Sequence, residues 1–151
     1  MKVLVFQIGA DRYGLPLAGV KRVLPVVALK HIPLAPPFVA GLMDLHGEPV
    51  PVVDLSHLAG LAPEQIWFDT RIILVDYPLP GRATASLGLL AEHVSGIEPV
   101  QPGALREPGV GGAAFLGRVA SSAAGMLQIV ELEQLLGADA RALLFPARVA
   151  A

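Results

Sequence analysis

The stretch GLMDLHGEPVPVVDL, residues 41–55, sets His46 between Asp44 and Glu48 at alternate positions. On an extended strand such spacing puts all three side chains on one face, as a metal site or an acid–base pair would need. Gly47 follows directly, and a histidine–glycine pair suits a tight turn that would splay the two acids apart. A small β-barrel enzyme using His46 with Asp44 and Glu48 is therefore one reading of this stretch, and a polar hairpin tip is the other. The remaining histidines, His31, His57 and His93, show no HxxxH, HExxH or HxH spacing. His57 follows Asp54 closely enough for an Asp–His contact, but no nucleophile is linked to it. The serines lack a Gly-x-Ser-x-Gly elbow, and GVGGAA at 109–114 has neither P-loop nor dinucleotide spacing. Neither a catalytic residue, a metal site nor a cofactor is assigned.

Composition narrows the classes further. Apolar residues make up 54% of the 151 positions and charged residues 16%, a surplus that fills a core and leaves apolar surface for a partner. Eleven basic and thirteen acidic residues give a net charge of −2 without clustering, which disfavours nucleic acid and acidic membranes as partners. There is no cysteine, so disulfide scaffolds and thiolate chemistry are excluded, and the cytoplasm is the expected compartment. Apolar stretches such as Leu34 to Met43 are broken by prolines and fall short of the about 20 residues of a membrane helix, so no membrane insertion is expected.

The elements that must position these residues are mostly short strands: VLVFQIG (3–9), YGLPL (13–17), VPVVDL (50–55), RIILVDY (71–77), LGLLAEHV (87–94) and MLQIV (126–130). Brief helices are predicted in 37–43, 55–61 and 131–136. Sixteen glycines and fourteen prolines fall largely between the strands. The chain also repeats itself. Residues 13–25 align without a gap on 87–99, pairing Gly14 with Gly88, Val20 with Val94 and Pro25 with Pro99. Residues 50–58 align on 127–135, pairing Asp54 with Glu131, and a phenylalanine, Phe38 or Phe115, precedes each block. Halves of about 60 residues bury little alone, so two barrels packed together are expected, one from 3–60 and one from 70–136, within a single domain over 1–151 that ends in a tail over 137–151.

The repeat sorts structure from function. Asp54 and Glu131 occur in both halves and read as scaffold, each able to cap a following helical turn. The hairpin around His46 occurs in one half only. Pro49 and Pro51 remove N–H groups from the same side of a strand, which reads either as a sheet edge protected from pairing or as turn prolines. Trp67 and Phe68, beside Arg71, read either as an interaction surface or as a plug between the halves.

Together, VLVFQIGADRYGLPLAGVKRVLP, IPLAPPFVAGLMDLHGEPVPVVDL, TRIILVDY and LGLLAEHVSGI resemble the CheW-like adaptor domain of bacterial chemosensory systems, from about Val3 to Leu136. The resemblance implies an all-β fold of two SH3-like five-stranded barrels with a groove between them, plus short helices. It implies a non-enzymatic adaptor without a cofactor, which couples the cytoplasmic tip of a methyl-accepting chemoreceptor to the regulatory domain of a CheA-like histidine kinase. The protein would be cytoplasmic, gathered in receptor arrays at the inner membrane. The positions matching the family's receptor groove are Val20, His46, Ile72 and Ile97, with Arg22 and Arg71 beside them. Where the family phrase is usually Asn-Leu-Arg-Gly, this chain has Asp44-Leu45-His46-Gly47, and a commonly acidic position is Arg22. The RVLP and LGLLAEHV phrases and the 115–136 tail look closer to adaptors of alternative systems, such as the surface-sensing Wsp type.

Overall fold

A computed structural model describes residues 1–62, 65–81, 83–122 and 124–146. The strands are β1 (Lys2–Ile8), β2 (Asp11–Pro16), β3 (Val20–Pro25), β4 (Val39–Leu45), β5 (Glu48–Asp54), β6 (Arg71–Tyr77), β7 (Ala85–Pro99), β8 (Leu116–Ser122) and β9 (Gly125–Val130). Two short helices, α1 (Leu55–Leu58) and α2 (Ala138–Leu144), complete the regular structure together with three 3-10 turns. The fold is mostly β, as expected, and resolves into two five-stranded lobes. Lobe A has the order β7–β1–β2–β9–β8, and lobe B the order β3–β6–β7–β5–β4. Among the described residues no continuous ladder closes either lobe. Each curls until a single bridge joins its ends, Lys30 with Leu42 in lobe B and Arg106 with Val119 in lobe A.

The continuous apolar runs of β1 and β6 follow from burial on both faces. In β1, Leu4, Phe6 and Ile8 face a core shared by the lobes, while Val3 and Val5 face the interior of lobe A. In β6, Ile73, Val75 and Tyr77 face the shared core, and Ile72 and Leu74 the interior of lobe B. The period-two geometry of a strand thus serves two cores at once.

The lobes do not divide at the middle of the chain, which corrects the expectation of one barrel from 3–60 and another from 70–136. The β1–β2 hairpin of the first half pairs with β9 of the second, through a parallel contact of Gly14 with Ile129. The β6–β7 hairpin of the second half pairs with β5 of the first, through a parallel contact of Val52 with Gly88. Each lobe therefore combines the first hairpin of one half with the second hairpin of the other. The physical reason lies in β7, which bonds to β6 and β5 over 85–91 and then crosses to bond β1 over 92–99. The exchange is symmetric: β3, the repeat partner of the second part of β7, crosses to pair with β6.

The repeated residues keep matching roles. The backbone N–H of Asp54 donates to the Phe38 carbonyl, and that of Glu131 to the Phe115 carbonyl, both at 2.7 Å. A Cβ on Gly14 would lie 2.8 Å from Val3 Cγ2, and one on Gly88 2.9 Å from Val52 Cγ2, so each glycine permits a close strand approach. The acids differ. Asp54 accepts from the N–H groups of Ser56 (2.9 Å) and His57 (3.4 Å) and caps α1. Glu131 makes no side-chain cap, because the turn after it is a short 3-10 turn and its longer side chain lies over Gly117.

Three helix expectations come out differently. Residues 55–58 form α1, and 131–136 shorten to a 3-10 turn at Leu132–Gln134. Residues 39–43 belong to β4, because pairing with β5 outweighs their local pattern. The region read as a tail carries α2, whereas 147–151 lie outside the described residues.

Candidate interaction groove

At the β4–β5 hairpin, Leu45 pairs with Glu48 and leaves a two-residue loop. His46 (φ 52°) and Gly47 (φ 89°) both adopt the left-handed conformation that such a tight turn requires. Asp44 Oδ1 accepts the Gly47 N–H at 2.7 Å, so one acid is spent holding the turn while His46 projects into solvent. Among the described residues no group of three or more His, Cys, Asp or Glu side chains could hold a metal ion. Beyond α1, His57 Nδ1 lies 3.1 Å from Asp54 Oδ2, but the neighbouring Ser56 hydroxyl donates to Glu92 at 3.0 Å. Serine and histidine therefore have separate partners, and no relay joins them.

The six groove candidates separate into distinct environments. Ile72 is fully buried in the interior of lobe B and reaches no surface, because its place in the β6 alternation points it away from the shared core. Arg71 bends back to donate to the carbonyls of Phe68 (2.7 Å) and Thr70 (2.8 Å). Arg22 is exposed on β3 opposite Leu74, on the face away from the shared core. His46 sits at the tip of the hairpin whose outer strand, β4, is the edge opposite β3.

Val20 and Ile97 are both related to the shared core. Val20 packs on the shared core at the start of β3, and Ile97, 54% exposed on β7, lies opposite Leu4 of the same core. Residues directly opposite on paired strands share a face, so Ile97 extends the shared core to the surface. Two further residues complete the pattern. Val94, the repeat partner of Val20, packs on the shared core, and Val23, 43% exposed, lies opposite Ile73 just as Ile97 lies opposite Leu4. Val20 and Val23 on β3, and Val94 and Ile97 on the second part of β7, thus lie on the shared-core face of their strands, with Val23 and Ile97 reaching solvent. Val94 was legible in the repeat alignment; Val23 was not, because its exposure depends on which face of β3 meets the core. Beside Ile97, Glu98 is ion-paired with Arg12 across β1.

The junction between the halves lies against β7. Trp67 Nε1 donates to Glu92 at 2.7 Å, and its ring rests 5.4 Å from that of His93. Phe68 is 92% exposed. The two readings of these aromatics are thereby divided, with Trp67 fastening the junction and Phe68 left at the surface.

The fold is a double-lobed β domain with a buried apolar core shared between its lobes. The model of the CheW-like domain matches residues 2–140, and the chain belongs to that family. Among solved structures, the scaffolding protein TtCheW of Thermoanaerobacter tengcongensis superposes with a TM-score of 0.80 at 28% identity, over 92% of this chain and 89% of that one. The chain is 35% identical over 54 residues to the chemotaxis protein CheW of Treponema pallidum, covering 36% of this chain and 32% of that protein. It is 29% identical over 76 residues to that of Bacillus subtilis, covering 50% and 49%. The aligned part thus spans a third to a half of these curated relatives.

Proposed function

We propose that this chain is a cytoplasmic adaptor of a chemosensory system, coupling the cytoplasmic tip of a chemoreceptor to a CheA-like histidine kinase by holding both rather than by a reaction. The observation that carries the proposal is the exposure of Val23 and Ile97 opposite core residues of β6 and β1, and with Val20 and Val94, which pack on that core, we read them as one apolar strip between two edge strands. A helical receptor tip presents apolar side chains at a spacing that such a strip desolvates, while polar neighbours set orientation. Membership of the CheW-like family and the likeness to a scaffolding protein support the same reading. The enzyme alternative built on His46, Asp44 and Glu48 has no support, since Asp44 is committed to its own turn.

The test is receptor-tip binding by variants on the strip. Val20→Asp and Ile97→Asp should each weaken binding by about 2 kcal/mol or more while leaving a folded chain, because a charge would be desolvated in the contact. Unchanged affinity in both would refute the assignment. Ile72→Asp should instead unfold lobe B, which thermal denaturation would report.

A further inference from the structure

The strip's second wall is the part of β7 that follows its crossing between lobes, and that crossing is irregular. On β1 the register advances from Val5 to Gln7, two positions, while on β7 the partners run from Gly96 to Glu92, four positions. The crossing strand therefore carries two surplus residues in a bulge, and His93 within it holds a left-handed φ of 51°, unusual for a residue other than glycine. A bulge deprives backbone groups of ladder partners, and these must be found elsewhere.

A junction residue supplies them. The Asp69 carbonyl accepts the Val94 N–H at 3.1 Å, and the Asp69 carboxylate meets His93 Nδ1 at 2.9 Å. Asp69 is itself held in place, since the turn from Trp67 to Thr70 is closed by Thr70 N–H to the Trp67 carbonyl (3.1 Å) and by Trp67 N–H to Thr70 Oγ1 (2.9 Å). Trp67 adds its bond to Glu92, one residue before His93.

We infer that Asp69 and His93 are positioning residues for the groove: they lock the bulge of β7 in one conformation and so fix where Val94 and Ile97 lie against the shared core. The strain at His93 is consistent with this, because a left-handed non-glycine residue persists only where its surroundings hold it. The inference rests on the groove reading for its functional consequence, but its structural half stands apart from that reading.

Two readouts separate the two. In Asp69→Ala and His93→Gly, amide exchange over 93–97 should accelerate at least tenfold and receptor-tip affinity should fall about fivefold, with the global unfolding midpoint unchanged for Asp69→Ala and unchanged or raised for His93→Gly, where strain is relieved. His93→Asn should restore both slow exchange and affinity, since asparagine tolerates the left-handed region and its amide can donate to Asp69. Unchanged exchange in both disruptive variants would overturn the lock, whatever the binding. Accelerated exchange with unaltered affinity, in a chain whose binding Ile97→Asp still weakens, would overturn the positioning role alone. Accelerated exchange in a chain that binds no receptor tip in any form would overturn the proposed function and leave the lock standing.

Discussion

At the hairpin tip, a histidine takes the left-handed conformation with one flanking aspartate bonded to the glycine beyond it. The glycine after His46 announced this turn; the commitment of Asp44 to it needed coordinates. His46→Arg should raise affinity for a standard flagellar receptor tip, because a planar guanidinium with five N–H donors replaces an imidazole with at most two. Calorimetric titration showing no gain would make the substitution incidental to partner choice. Asp54 offers a cleaner energetic test. Removing its cap with Asp54→Ala should cost about 1 kcal/mol of stability, read as a lower urea midpoint. The equivalent Glu131→Ala should cost less, because Glu131 caps nothing. Their alignment in the repeat was visible in the sequence, but one methylene and a shorter turn separate their roles.

Among the elements, β5 carries its prolines in the part that has one paired neighbour. Pro49 and Pro51 pair with Asp44 and Leu42 on β4, whereas β7 joins β5 only from Val52 onward. Among the described residues no second strand pairs with β5 there, so prolines lacking N–H groups would blunt that edge against pairing with another chain. The double variant Pro49→Val and Pro51→Val should therefore gain concentration-dependent association, measurable by light scattering; a strictly monomeric variant would show that the prolines serve the turn alone. Strand β3 was legible only through its alignment with 94–99, since VKRVLP, with exposed Lys21 and Arg22, has no clean alternation of its own. Helix α2 was missed because ADARALL lacks a capping side chain and makes little more than a turn beyond its first.

For the whole molecule, the exchange of hairpins has a direct consequence. A lobe cannot form from one half of the chain, because each needs strands from both. A fragment of residues 1–62 should be unfolded alone by circular dichroism and gain β structure when mixed with a fragment of 65–151. Independent cooperative folding of 1–62 would contradict the exchange. The same design fits the proposed groove, whose two walls, β3 and the second part of β7, are repeat partners at the edges of opposite lobes.

The sequence by itself determined a cysteine-free, strand-rich chain with an internal repeat, a tight turn at His46-Gly47 and its family resemblance. Each of these is written in local pattern, in residue spacing or in the comparison of one half with the other. Only the tertiary structure decided which hairpin pairs with which, and with that the fates of neighbours such as Ile72 and Ile97. Both are isoleucines in strands, yet one is sealed inside lobe B and the other surfaces at the seam. A strand's own sequence specifies two faces, but the identity of what covers each face is set by long-range pairing.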